Sequence, residues 1–172
     1  MKVLYIPIPG GLQPWYDDFV AAAGDRHEIR LFDHQEPLER QFEEVGAVVA
    51  RGGKTGTRSM FDAAAHAGAR LWQITGAGLD GLDIPYVLGK GLMLAHTPGP
   101  FSGIALAEHA MFMMLWFAKK YHECQADVRG GRVYQMTTEE LHAATLGVVG
   151  LGASGRELAY RATSLRNAGG GH

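Results

Sequence analysis

The chain has 172 residues, 47% of them hydrophobic and 20% charged, with 16 basic against 18 acidic side chains and a formal net charge of −2. That is ordinary globular composition, and a near-neutral balance without a Lys/Arg block excludes the electrostatic footprint of a nucleic-acid binder. A single cysteine, Cys124, excludes a disulfide framework or a Cys-based zinc cluster and fits a reducing compartment.

Glycine, at 24 residues, is about twice its usual ~7% share, which favours many strand-to-helix turns over a helical bundle. Residues 1–9 are apolar but carry Lys2, Pro7 and Pro9, and no small-residue cleavage site follows, so they do not read as a signal peptide. Short β-branched runs at 2–8, 28–32, 47–50, 71–75 and 92–95 read as five strands. Helical patterns fill 14–23, 37–45 and 58–67 between them. This rhythm predicts an α/β fold of flavodoxin-like kind, a doubly wound parallel sheet covered by helices on both faces.

After Pro98-Gly99-Pro100, Ser102 is a plausible N-cap for one long helix reaching about residue 126. Its first half is apolar nearly all round, through Ile104, Met111, Phe112, Met113, Trp116 and Phe117, as in a helix buried on several sides. The apolar run is interrupted by Glu108 and His109 and falls short of the ~20 residues a bilayer needs, so no membrane partner and a soluble, cytoplasmic protein are expected. A short helical turn follows around 138–141, and then a strand, a glycine-rich turn and a helix to about residue 164.

That turn holds the chemistry. Gly150, Gly152 and Gly155 form G-x-G-x-x-G directly after an apolar strand pattern. The first glycine permits the tight turn, the second lets backbone approach a pyrophosphate, and the third lets the helix pack on the strand. With Ala153 and Ser154, these residues present a helix N-terminus to an anion. The fingerprint then calls for a second strand ending in Asp or Glu ~20 residues on, to hold the ribose hydroxyls, and residues 166–172 carry no acid. A phosphate turn without its ribose anchor does not favour cofactor binding by these 172 residues alone.

Other motifs fail. Gly53-Lys54-Thr55 resembles the end of a phosphate loop, but Val48 stands where that pattern needs glycine. A phosphoreceiver needs acids at strand ends occupied by Ile6 to Pro9 and by Arg51 and Gly52. The eight histidines show no metal-ligand spacing, Glu108 and His109 read as a structural pair, and Cys124 has no base placed beside it by sequence.

Three segments together resemble the D-isomer-specific 2-hydroxyacid dehydrogenase family. They are Thr75-Gly76-Ala77-Gly78-Leu79-Asp80-Gly81-Leu82-Asp83, then His96-Thr97-Pro98-Gly99 through Ala107-Glu108-His109-Ala110, then Leu146 to Gly155. The resemblance runs from about residue 45 to 164. It implies a flavodoxin-like substrate domain over 1–100, a long interdomain helix over 101–127, and over 128–172 the incomplete start of a Rossmann domain binding NAD or NADP. It also implies that Arg51, Gly52 and Gly53 after the third strand, and Gly76, Ala77 and Gly78 after the fourth, approach a substrate carboxylate through backbone N–H groups. Plain strand-end turns would explain the same glycines.

In similar enzymes the Arg that clamps the carboxylate, and the His and Glu that move the proton, come from the distal Rossmann half. The 172-residue chain is therefore expected to be a catalytically inactive fragment of an enzyme converting a 2-keto acid to a D-2-hydroxy acid, and to self-associate or form a homodimer. The alternative from another class is a non-catalytic small-anion binding or dimerisation module. The tail Arg166-Asn167-Ala168-Gly169-Gly170-Gly171-His172, read from the second base of its codons, can spell Gly-Met-Arg-Val-Val, the continuation such enzymes have. A frameshift product is therefore expected there, against a coincidental glycine tail.

Overall fold

The structure, a computed structural model, describes residues 1–52, 55–134 and 136–165. It divides into two compact units, Met1–Pro98 and Gly99–His172.

The first unit is a five-stranded sheet in the order β2-β1-β3-β4-β5, every neighbouring pair parallel. Its strands are β1 (Lys2–Ile6), β2 (Glu28–Leu31), β3 (Val45–Ala50), β4 (Leu71–Ile74) and β5 (Met93–His96). They alternate with α1 (Trp15–Ala23), α2 (Leu38–Phe42), α3 (Arg58–His66) and α4 (Ile84–Gly89). This is the flavodoxin-like order expected from the sequence rhythm.

Period-2 alternation divides the strand residues between two covered faces. Val3, Tyr5, Ala47 and Val49 pack with Tyr16 and Phe19 of α1. Leu4, Ile6, Val48, Ala50, Trp72 and Ile74 pack with Phe42, Phe61 and Val87 from α2, α3 and α4. Elements end where local chemistry forces them to. β1 stops at Ile6 because Pro7 has no N–H for the ladder. α2 is shorter than read, since Glu44 takes φ 60 and turns the chain into β3, which starts at Val45. α4 was not anticipated, although Asp83 caps it by accepting from the Tyr86 N–H at 3.2 Å and Pro85 sits in its first turn.

In the second unit, α5 (Pro100–Ala118) starts at Pro100, so Ser102 lies inside its first turn and is not its cap. The helix expected to run unbroken to about residue 126 is two. The Lys119 and Lys120 N–H groups close onto Leu115 and Phe117, Lys120 turns left-handed at φ 45, and α6 (Tyr121–Arg129) follows. By length and composition α5 would suffice to cross a bilayer. Glu108 at its middle pairs with Arg161 at 3.7 Å. The helical turn expected at 138–141 falls slightly later, as a turn in which the Ala144 N–H donates to Leu141. The segment before Gly150 forms no strand, because among the described residues this unit offers no second strand to satisfy its backbone. α7 (Ala153–Thr163) follows the glycine turn as expected. The tail at 166–172, with its expected frame change, lies outside the described residues, as does Gly53.

Candidate functional site

In this strand order the chain reverses its direction of winding between β1 and β3, and ligands of open α/β sheets bind beyond the carboxyl ends of the strands at such a point. Arg51 and Gly52 stand there. The Arg51 N–H donates to the Ile6 carbonyl at 3.0 Å, and Arg51 continues the row of Ala47 and Val49 past the strand end, on the α1 face. Its guanidinium lies 3.6 Å from the ring centroid of Trp15, the first residue of α1. Among the described residues, the buried Arg51 Nε and Tyr5 hydroxyl have no hydrogen-bond partner. Burial pushes the Tyr5 phenol above its ordinary pKa, against the opposing pull of the Arg51 charge.

The loop after β4 is tied to the same place. The Thr75 N–H donates to Ala50 at 3.0 Å and its hydroxyl to the Arg51 carbonyl at 3.3 Å. A Cβ on Gly76 would lie 3.9 Å from that Arg51 oxygen. On the other side the loop is held from β5: the Thr97 N–H donates to Gly76 at 3.2 Å, and His96 Nδ1 to the Ala77 carbonyl at 2.9 Å. Among the described residues, the N–H groups of Gly76, Ala77 and Gly78 donate no hydrogen bond within the protein. A carboxylate stands beside the loop: an Asp80 oxygen lies 3.2 Å from where a Cβ at Gly78 would sit.

The second unit carries the glycine turn. Gly150 has φ +90, a left-handed conformation that favours glycine, and a Cβ at Gly155 would stand 2.0 Å from the Gly150 carbonyl oxygen, so only glycine fits there. Gly152 precedes α7, whose N-terminus has no side-chain cap. The first-turn N–H groups of Ala153, Ser154 and Gly155 have no intrahelical acceptor. A bare helix N-terminus behind a tight glycine turn fits a phosphate, and with it the pyrophosphate of a dinucleotide.

Elsewhere, Glu108 and His109 do not form the pair expected of them: Glu108 engages Arg161, and the His109 ring lies 6.0 Å from that of Phe112. Cys124 donates its thiol to the Lys119 carbonyl at 3.2 Å. No group of His, Cys, Asp or Glu among the described residues could hold a metal. Sequence reasoning missed Tyr5, Trp15, Thr75 and His96. Thr75 and His96 stood in quoted motifs, but their partners lie across the sheet, and that of His96 follows from the β4–β5 register, in which it lies opposite Ile74.

A flavodoxin-like unit followed by an apolar helix, a glycine turn and a further helix makes this an α/β protein of two units. Residues 111–168 match the family described as D-isomer specific 2-hydroxyacid dehydrogenase, NAD binding domain. The chain is 29% identical over 153 residues to a D-3-phosphoglycerate dehydrogenase of Archaeoglobus fulgidus, covering 86% of this chain and 28% of that one. Its fold resembles that of D-2-hydroxyisocaproate dehydrogenase, with a TM-score of 0.80, 19% identity and coverage of 96% of this chain and 51% of that one. It is similar also to D-lactate dehydrogenase from Aquifex aeolicus complexed with NAD and lactic acid, with a TM-score of 0.74, 21% identity, and 95% and 48% covered. The chain is thus related to the D-isomer-specific 2-hydroxyacid dehydrogenases, a family with an NAD-binding domain, and spans under a third of that curated relative's length and about half of the solved ones.

Proposed function

We propose that this chain carries the substrate-binding unit, and the opening of the nucleotide-binding unit, of a dehydrogenase interconverting a 2-keto acid and a D-2-hydroxy acid. The observation that carries the reading is the row of unpaired N–H groups at Gly76, Ala77 and Gly78, beyond the carboxyl ends of the strands and tied through Thr75 to Arg51. Such a row accepts a carboxylate, which takes several N–H bonds where no Cβ intrudes. Arg51, Gly52 and Gly53 complete the substrate site in this reading. Gly150, Gly152, Ala153, Ser154 and Gly155 hold the pyrophosphate of NAD or NADP. The bound nicotinamide supplies or takes the hydride, and this chain's residues orient the acid and anchor the phosphates.

By itself the 172-residue chain is expected to show no turnover, because the proton-transferring His and Glu and the clamping Arg of similar enzymes correspond to none of its residues, and chemistry needs its acid/base in place. It acts in the cytoplasm and self-associates through the exposed Phe112, Met113 and Phe117 of α5. The test is NADH oxidation with a panel of 2-keto acids, alongside amide spectra of the chain titrated with glycolate and with NADH. Glycolate should shift the Gly76, Ala77 and Gly78 amides, and NADH, met by the phosphate turn without a ribose anchor, should shift those of the glycine turn only weakly, without turnover. A rate above background that survives repurification overturns the inactivity. Response to glycolate with none to NADH favours the small-anion binding module instead.

A further inference from the structure

Two carbonyls in the loop after β4 are pulled the same way. The Gly76 carbonyl accepts from the Thr97 N–H at 3.2 Å, and the Ala77 carbonyl from His96 Nδ1 at 2.9 Å, both donors belonging to the end of β5. In a trans peptide the C=O and the N–H of the next residue point in opposite directions. Anchoring the Gly76 carbonyl towards β5 therefore turns the Ala77 N–H away from β5, and anchoring the Ala77 carbonyl does the same to the Gly78 N–H. Two successive N–H groups facing one side make an anion-binding concavity. One of the two anchors is backbone and any residue supplies it; the other is a side chain, and only a residue with an N–H or O–H at that reach can replace it.

We infer that His96 is a positioning residue for the anion site, setting the direction of the Gly78 N–H by holding the Ala77 carbonyl. The inference rests on the reading of residues 76–78 as a carboxylate site. A carbonyl only accepts, so Nδ1 carries the proton and Nε2 of the neutral ring is left with a free lone pair. His96 itself is exposed, and its ring is held by this contact rather than by burial in the core. Gly78 adds the reason the direction matters: the Asp80 carboxylate stands beside it, and an N–H left to rotate could turn to that oxygen instead of to a ligand. Holding the peptide plane keeps the donor available.

The experiment is a glycolate titration of the 172-residue chain followed at the Ala77 and Gly78 amides, in wild type, His96→Ala and His96→Asn. Alanine removes the donor. Asparagine keeps an N–H of comparable reach, and the imidazole nitrogen spectrum of wild type reports the tautomer independently of any ligand. We expect Nδ1 to be protonated in the neutral ring, glycolate to bind about five- to tenfold more weakly to His96→Ala, as loss of one hydrogen bond implies, the Gly78 amide to lose most of its response, and His96→Asn to recover both. A purely packing role for the ring would not be rescued by asparagine. Equal binding by wild type and His96→Ala, a neutral ring protonated at Nε2, or failure of asparagine to rescue overturns the inference while leaving the carboxylate site standing. No response of wild type to glycolate overturns both.

Discussion

The two units use the same device, glycine-rich backbone at a strand or helix end, but build it on different foundations. In Met1–Pro98, Tyr5, Phe42, Phe61 and Trp72 are all buried to below 2% exposure, and a parallel sheet with both faces covered supplies the core. In the second unit, Ala107 and Ala118 are the buried hydrophobic residues among those described, while Phe101, Phe117 and Val149 stand 81%, 72% and 106% exposed. There α5 meets α7 along a seam narrow enough that a Cβ on Gly103 would come within 3.4 Å of Ala153, and an apolar cavity of about 290 Å³ remains between Met114, Leu146, Val148 and Ala162. A site is held as firmly as the packing beneath it. The loops at Arg51 and Gly76 therefore rest on a sheet covered on both faces, and the glycine turn rests on local packing alone.

The sharpest way to break that comparison is a pair of truncations. Trp72→Ala should cost about 3–5 kcal/mol in urea unfolding, as loss of a fully buried indole does. Phe101→Ala, in the second unit, should change stability by less than about 0.5 kcal/mol, as at an exposed site. Comparable losses would mean that the second unit has a core of its own. Next in size is Gly155→Ala. Its Cβ would stand 2.0 Å from the Gly150 carbonyl, so the turn must open, at about 1–3 kcal/mol for such overpacking. Amide exchange should quicken along α7 and the glycine-turn amides should stop responding to NADH, with the unfolding of Met1–Pro98 unchanged. A retained NADH response would show that the close approach is not what shapes the turn.

The same contrast explains what the sequence made legible. Strands with two covered faces leave runs of apolar and β-branched residues, so all five appeared within one or two residues of their observed bounds and their rhythm disclosed the sheet order. The glycine turn was legible because Gly150 and Gly155 answer to backbone geometry that no other residue satisfies. What escaped was set across the chain rather than along it. The expected strand before Gly150 has the right pattern but, among the described residues, no ladder partner, and pairing is a property of two segments. The break at Lys119 and Lys120 came with no Gly or Pro to announce it. The tie from His96 to Ala77, and the stack of Arg51 on Trp15, need the sheet register before they can be seen at all.

The smallest predicted effect also separates the units, through charge instead of packing. On the first unit α3 and α4 are clamped at the surface. The Tyr86 hydroxyl donates to both Asp62 oxygens at 2.9 and 3.0 Å, Lys90 pairs with Asp62, and Arg58 Nε donates to Asp83 at 3.2 Å. Arg58 and Lys90 lie 4.7 and 4.8 Å from the Tyr86 ring centroid. The hydrogen bonds from Lys90 and Tyr86 hold the Asp62 carboxyl below its ordinary 3.8, and that from Arg58 does the same for Asp83. A depressed folded pKa means that stabilisation is present above the unfolded value and is lost as pH falls through the folded one. Wild type should therefore melt above Asp62→Asn at neutral pH; the gap should narrow below about pH 4, where the unfolded state takes up the proton, and close once the folded carboxyl takes it up as well. These groups are exposed, so the gap should be small and should shrink with added salt. Exchange of the α7 amides should be the same in both proteins throughout, because no member of the clamp lies in the second unit. A gap that stayed constant down to pH 3, or one that appeared in α7, would mean that Asp62 acts through packing and not through its charge.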